Sequence, residues 1–248
     1  MKDHVWNPWH GCIQWSRGCQ NCYVYRRDAS VGRDASQVRR TKAFAYPLEK
    51  DRSGAYKVLP GASVYCCMTS DFFLKEADPW REGAWDIIRI RSDVHFTIIT
   101  KRITRFLQCI PGDWGVGWPN VRICCTVEDQ QAAEERLPVF LSLPIRERAI
   151  ICEPLLSPIH MESWLGPDIA QVVAGGESGP GARPCNFDWI LDIRRQCVEA
   201  GTSFWFKQTG ARLIKDGRLY QIRRSHQHRQ AQRAGIDFIP HRWEGRCV

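Results

Sequence analysis

From residue 63 onward, short runs rich in β-branched, aromatic and cysteine residues alternate with stretches of helical periodicity. No other feature restricts the fold as strongly. The runs Val64–Met68, His95–Thr100, Val121–Val127, Ala149–Cys152, Ile169–Ala174 and Ser203–Phe206 have the length and composition of strands. Between them, Trp80–Ile90 places Trp80, Ala84, Ile87 and Ile88 on one helical face, with Arg91 following. Asp129–Leu141 and Phe187–Ala200 behave similarly, and Gly201 is a helix stop. Pro154–Trp164, broken by Pro158, has room for a turn of helix only. Alternating strands and helices build βα units and a parallel sheet. Near-continuous apolar strands suit a sheet covered on both faces. A short strand at Val5–Trp9 brings the count to about six or seven. No glycine-rich phosphate turn follows that strand, and the helices are short. The expectation is therefore an α/β fold, a partial (open) parallel β/α barrel, not a doubly wound sheet. A chain of 248 residues suits one such barrel.

The segment from Arg26 to Gly61 is polar, and a short helix around Ala35–Ala43 followed by a long loop is expected there. At the other end the chain turns basic. Between Arg212 and Arg246 nine Lys/Arg stand against Asp216, Asp237 and Glu244, within an overall formal charge of +8. The expected division is a barrel over residues 1–210 and a basic C-terminal extension over 211–248. Basic charge with eleven tryptophans suits a polyanion, because cations neutralise phosphates and rings stack on unpaired bases. Tyr220, His226, His228 and Trp243 lie in this extension, which reads equally as a disordered or partner-binding tail. No apolar run reaches the length of a membrane span, and the first residues lack an apolar signal segment, so a cytoplasmic protein with no membrane partner is expected.

Twelve cysteines in a reducing compartment do not point to a disulfide framework. Cys66, Cys67, Cys124, Cys125 and Cys152 sit in apolar runs, where cysteine acts as a small hydrophobe. Cys12, Cys19 and Cys22 instead sit among Gly, Ser, Arg and Asn, at the spacing C-x6-C-x2-C. Three thiolates in one loop suit three irons of a [4Fe–4S] cluster, leaving one iron open. Gly11 and Gly18 precede two of them and let the loop fold tightly. Zinc is the competing reading, with His10, His4 or a distant Cys185 completing a tetrahedral site.

Each strand candidate runs into polar residues. They are Ser70-Asp71, Thr100-Lys101-Arg102, Thr126-Val127-Glu128, Glu153-Pro154, the glycine-rich stretch from Gly175-Gly176-Glu177 to Pro184, and Lys207-Gln208. In a barrel such C-terminal strand ends share one face, where barrel enzymes keep their chemistry. Strands must also end in something polar, and a tight loop is the plainer account of the glycines.

The three-cysteine loop after a short first strand, with these strand ends, resembles the radical S-adenosylmethionine superfamily. More narrowly, Trp6-Asn7-Pro8 through Asn21-Cys22-Tyr23, Ser70-Asp71, Thr100-Lys101-Arg102, Val127 to Gln130, Glu153 to Leu156, Gly175 to Pro184 and Phe206-Lys207-Gln208 resemble a phage and bacterial family with a three-cysteine motif. The superfamily's usual first cysteine gap is three residues shorter, and its Gly-Gly-Glu-like motif follows the second strand, where this chain has Ser70-Asp71. The resemblance implies a [4Fe–4S] cluster on Cys12, Cys19 and Cys22, S-adenosyl-L-methionine as cofactor, and an electron donor such as flavodoxin or ferredoxin. Asp71 would then accept from the methionine amino group. Lys101 or Arg102 would pair with its carboxylate, and Glu128 or Glu153 would hold ribose hydroxyls. Ser70, Thr100, Gly175, Gly176, Glu177 and Lys207 complete the expected cofactor site. Cys152 is the candidate hydrogen-atom donor, with a core role as its alternative. The expected reaction is radical modification or repair of a nucleic acid. A peptide or small-molecule substrate, a protein partner, and a non-enzymatic zinc-stabilised nucleic-acid-binding protein stay open.

Overall fold

Strands form where the β-branched runs predict them, because these segments are apolar on both faces and must be covered on both. The computed structural model describes residues 3–240. In chain order the strands are β1 (His4–Trp6), β2 (Trp9–His10), β3 (Arg39–Arg40), β4 (Ser63–Cys66), β5 (His95–Thr100), β6 (Val121–Thr126), β7 (Glu147–Cys152), β8 (Ile169–Gly175), β9 (Cys185–Asn186), β10 (Ser203–Gln208), β11 (Arg212–Lys215) and β12 (Arg218–Gln221). The helices are α1 (Tyr23–Ala29), α2 (Asp78–Ile90), α3 (Phe106–Cys109), α4 (Gln130–Ser142), α5 (Phe187–Glu199) and α6 (Arg224–Arg233). Seven parallel strands follow the order β1-β4-β5-β6-β7-β8-β10, the partial, open β/α barrel expected. Pro154–Trp164 yields one short 3-10 turn, Glu162–Trp164, also as expected.

The chain divides into two compact units: Met1–Trp15, Val24–Cys124 and Ser142–Glu147 form the first, and Ser16–Tyr23, Cys125–Leu141 and Arg148–Val248 the second. In the first, β1 pairs with β4 and β4 with β5 in parallel register. Its core is aromatic. Trp9 meets Phe72 at 5.2 Å between ring centroids, Phe72 meets Trp85 at 4.9 Å, and Trp85 meets Trp114 at 5.3 Å. Trp6, Trp9, Trp85 and Trp114 are buried, so four of the eleven tryptophans are core and not a stacking surface. On α2 the buried face is Arg81, Ala84, Trp85, Ile87 and Ile88. Trp85 takes the place expected of Trp80, which is half-buried. The helix expected at Ala35–Ala43 is absent. Arg39–Arg40 instead pairs antiparallel with Trp9–His10, and the strand expected over Val5–Trp9 breaks into β1 and β2. Asn7 accounts for both departures: Thr69 N–H donates to its side-chain oxygen at 3.0 Å, and the Thr41 hydroxyl to its carbonyl at 2.6 Å.

In the second unit β7 pairs with β8 and β8 with β10. Helix α5 buries Ile190, Ile193, Gln196 and Cys197. The Asn186 side chain caps its start at Asp188 N–H, and Gly201 follows its end at φ +61°. The basic segment is folded here. Strands β11 and β12 make a hairpin that joins β9 in a three-stranded sheet. Its two-residue turn, Asp216-Gly217, has both φ angles positive, 50° and 70°, as a type I′ turn requires. Gln227 and Ala231 are the buried residues of α6. Trp243 lies outside the described residues.

Candidate functional site

In the first unit the approach to Cys12 is built by the Trp6-Asn7-Pro8-Trp9 run. Trp6 Nε1 donates to the Phe44 carbonyl at 3.0 Å and Trp9 Nε1 to the Asp71 carbonyl at 3.2 Å, which ties the run to the turns that follow β3 and β4. Gly11 stands at φ +94°, and a Cβ there would sit 2.7 Å from the Gln37 carbonyl oxygen, so only glycine fits. Gly11 N–H donates to the Thr69 carbonyl, Cys12 N–H to that of Ala35, and the Ser70 hydroxyl to that of Gly11. The turn entered from β4 starts with Cys67 at φ 57°, a left-handed conformation that costs a non-glycine residue energy and clusters at functional sites.

Asp71 is the hub of this end. Its Oδ1 accepts from Phe73 N–H at 2.9 Å and the Thr100 hydroxyl at 2.8 Å. Its Oδ2 accepts from Lys101 N–H at 3.0 Å and pairs with Arg102 Nη1 at 3.2 Å. A carboxylate offers about four lone-pair sites, and all four are taken by the chain itself. The amino-group role expected of Asp71 is thus filled internally, and its work is to aim Arg102. Arg102 Nη1 also lies 3.8 Å from Cys12 Sγ, Nη2 donates to the Ile13 carbonyl, and the guanidinium rests 5.3 Å from the Trp15 ring centroid. Burial disfavours the Arg102 charge, but Asp71 and Cys12 outweigh it and raise its pKa. Ser70 and Arg102 therefore reach the Cys12 loop, while Thr100 and the Lys101 backbone hold Asp71. Thr69 is buried, and its hydroxyl has no hydrogen-bond partner.

In the second unit Cys19 ends a 3-10 turn, Arg17–Cys19, and Cys22 N–H donates to the Cys19 carbonyl. Glu128, fully buried, supports this turn from the end of β6. Its Oε1 accepts from Gly18 N–H at 3.3 Å, and Arg136 Nη1 binds its Oε2 at 2.9 Å. A Cβ on Gly18 would lie 3.1 Å from the Glu128 carboxyl carbon, so the turn rests directly on the carboxylate. Arg17 reaches Asp129, whose carboxylate caps α4 at Ala132 N–H. From the other side, Asn21 Nδ2 donates to Glu177 Oε2 and to the Gly181 carbonyl, both at 3.0 Å. Arg183 forks onto both Glu177 oxygens and donates to the Arg17 carbonyl at 2.9 Å. Burial pushes the Glu177 carboxyl up, but the Arg183 and Asn21 hydrogen bonds and the Arg183 charge hold it below the usual range. Glu128 and Glu177 thus brace the cysteine turn and are not open to ribose or methionine. The Ser16 hydroxyl is buried and unpartnered, while Ser16 carbonyl accepts from Cys19 N–H.

A third group lies at the ends of β7, β8 and β10. Glu153 pairs with Lys207 Nζ at 2.6 Å and accepts from Gln208 Nε2. The register of β10 against β8 shifts between Phe206 and Gln208, a bulge that re-aims Lys207. Gly175 and Gly176 serve chain packing here. A Cβ on Gly176 would meet the Thr209 carbonyl oxygen at 2.4 Å, so the close approach is to β10's continuation and not to a ligand. Cys152 is fully buried and its thiol is pushed well above the ordinary range by burial, with Cys197 of α5 and Cys125 of β6 beside it. That is a core setting.

The described cysteines separate sharply. Cys12, Cys19 and Cys22 are half-exposed and the other eight are buried. Of the alternative zinc ligands, Cys185 is buried with its thiol raised to about 12, and His10 Nε2 is held 2.6 Å from Asp28. Among the described residues no group of three or more His, Cys, Asp or Glu side chains is gathered as a metal site. Cys12 in the first unit and Cys19 and Cys22 in the second keep half-exposed thiols, the donor type that an iron–sulfur cluster uses. Arg136, Arg183, Asn21 and Tyr25, whose hydroxyl donates to the Cys12 carbonyl, were missed in the sequence, because no motif or periodicity marks the pairing of a lone side chain, whether with a neighbour, as Arg136 with Glu128, or across the chain, as Asn21 with Glu177. A family model described as "Protein of unknown function (DUF5131)" matches residues 1–245. No curated protein and no solved structure matches.

Proposed function

We propose, for a chain that belongs to the DUF5131 family, that Cys12, Cys19 and Cys22 are the protein ligands of a [4Fe–4S] cluster in a radical S-adenosyl-L-methionine enzyme. The observation that carries this reading is the contrast among the cysteines: the three at C-x6-C-x2-C are accessible, whereas the other eight described are buried. Cys12, Cys19 and Cys22 would hold the cluster, and the chemistry it would supply, with a donor such as flavodoxin or ferredoxin, is one-electron reductive cleavage of the sulfur–carbon bond of S-adenosylmethionine to methionine and a 5′-deoxyadenosyl radical. The chain's residues hold and orient. Arg102, aimed by Asp71, donates to Cys12 Sγ, a hydrogen bond of the kind that sets the potential of a cluster. Glu128 with Arg136, and Glu177 with Arg183 and Asn21, fix the turn that carries Cys19 and Cys22. In the first unit the buried Thr69 hydroxyl is a hydrogen-bonding group that the chain leaves unused and that the cofactor would take.

Anaerobic purification with iron, sulfide and zinc analysis tests the reading. It predicts about four irons per chain and a brown colour that bleaches on reduction. Cys12→Ser, Cys19→Ser and Cys22→Ser each lose the colour, while Cys185→Ser keeps it. A colourless protein with one zinc per chain overturns the cluster. A fully loaded cluster that yields no 5′-deoxyadenosine with dithionite and S-adenosylmethionine overturns the enzymatic half.

A further inference from the structure

From Arg218 to Ile236 the chain carries five arginines and two histidines and no acidic residue. This stretch is folded, not a tail: it is β12 and α6 of the second unit. Arg218, Arg223, Arg229 and Arg233 are exposed, and none has a carboxylate partner among the described residues. On α6 the buried positions are Gln227 and Ala231, so Arg229 and Arg233, four residues apart, project from the opposite side. On β12, alternation puts Arg218 and Tyr220 on one face. Tyr220 and Leu219 are 45% and 46% exposed, which leaves a ring open for stacking beside the cations.

Two features argue that this surface has a polyanionic partner. Lys215 stands directly opposite Arg218 at the mouth of the hairpin, and like charges in facing positions destabilise a strand pair. Such a local conflict belongs where function needs it. The helix is also anchored at the strand ends of the candidate site. Arg224 Nη1 donates to Gln208 Oε1 at 2.6 Å, and His228 Nδ1 donates to the Lys207 carbonyl at 2.9 Å. Lys207 in turn pairs with Glu153. The helix that carries Arg229 and Arg233 is thus fastened to the polar end of β10.

We infer that β12 and α6 bind the phosphodiester backbone of a single-stranded nucleic acid, with Tyr220 stacking on a base, and lead it to the Glu153–Lys207 end of the sheet. The inference goes beyond the cluster reading and names the substrate class that reading leaves open. Phosphate contacts give the affinity and ring stacking the preference for unpaired bases.

The test is fluorescence anisotropy of labelled single-stranded DNA, single-stranded RNA and duplex DNA with the full chain, without reductant or S-adenosylmethionine. Four arginine–phosphate contacts give a log–log salt slope of about −2.8, so affinity falls about 50-fold between about 50 and about 200 mM salt. The R218Q/R229Q/R233Q variant retains one such contact, and its loss over the same range shrinks to about threefold. Tyr220→Ala weakens single-strand binding about fivefold or more and leaves duplex binding unchanged. Circular dichroism checks that both variants fold. The DNA and RNA arms distinguish the source of the backbone, and binding in either supports the inference. Equal affinity and slope for wild type and triple variant overturn it. So does binding to phosphatidylserine vesicles with no binding to either oligonucleotide. Iron content is measured separately on the same preparation, so failure of binding and failure of the cluster are told apart.

Discussion

Replacing Glu128 by Gln tests the support of the cysteine turn. The substitution keeps the shape and removes the charge, leaving the Arg136 guanidinium buried without its counter-ion and with the Thr126 carbonyl as a neutral acceptor. Both side chains of the pair are almost wholly buried. Breaking such a pair from one side costs about 3–5 kcal/mol. The amide retains hydrogen bonding, so the lower end applies, about 3 kcal/mol. For a chain of this size each kcal/mol moves Tm by about 2–4 °C, so E128Q melts about 6–12 °C lower. Removing both charges, as in Glu128→Leu with Arg136→Met, abolishes the uncompensated charge, and the double variant melts above E128Q. Differential scanning calorimetry supplies the three melting temperatures. Because Gly18 N–H loses its carboxylate acceptor, alkylation of Cys19 by iodoacetamide in the metal-free protein also accelerates in E128Q, which peptide mass spectrometry reads directly. An unchanged Tm for E128Q, or a double variant that melts no higher than E128Q, refutes the buried-pair argument.

Gly176→Ala forces a Cβ to within 2.4 Å of the Thr209 carbonyl oxygen, and about 1–3 kcal/mol of stability is lost; urea unfolding measures it. Glu177 has a depressed folded pKa, so its contribution is present above its ordinary value of 4.5 and lost as pH falls through the lower folded value. The stability gap between wild type and Glu177→Gln is therefore open at pH 6 and closes in acid, as melts across a pH series will report. Native-state alkylation labels Cys12, Cys19 and Cys22 and spares Cys124, Cys185 and Cys197, which are buried with thiols raised to about 12. Labelling counted by intact mass checks this.

Elements with a strong apolar period were legible, and those without one were not. The strand runs lie within a few residues of the observed strands, and α5 starts and stops at the Asn186 cap and Gly201. Helix α6 buries only Gln227 and Ala231, so its sequence has almost no hydrophobic period to read. The hairpin before it did carry a signal, Asp216-Gly217 between Leu213-Ile214 and Leu219-Tyr220, which a search for type I′ turns finds. The segment around Ala35–Ala43 is decided by distant groups: the Ala35 carbonyl accepts from Cys12 N–H and the Thr41 hydroxyl donates to the Asn7 carbonyl, and these contacts override local helix preference.

The chain's own pattern was enough to set the parallel α/β architecture and to single out Cys12, Cys19 and Cys22, because periodicity and the polarity of neighbouring residues are local properties. Which partners the strand-end carboxylates find was decided only by tertiary structure. Asp71, Glu128 and Glu177 read in sequence as open ligands, yet each carboxylate is occupied by donors from elsewhere in the chain: Arg102 for Asp71, Arg136 for Glu128, and Arg183 and Asn21 for Glu177. A buried carboxylate must find such donors or forfeit its charge, and which donors reach it depends on how distant strands and loops meet.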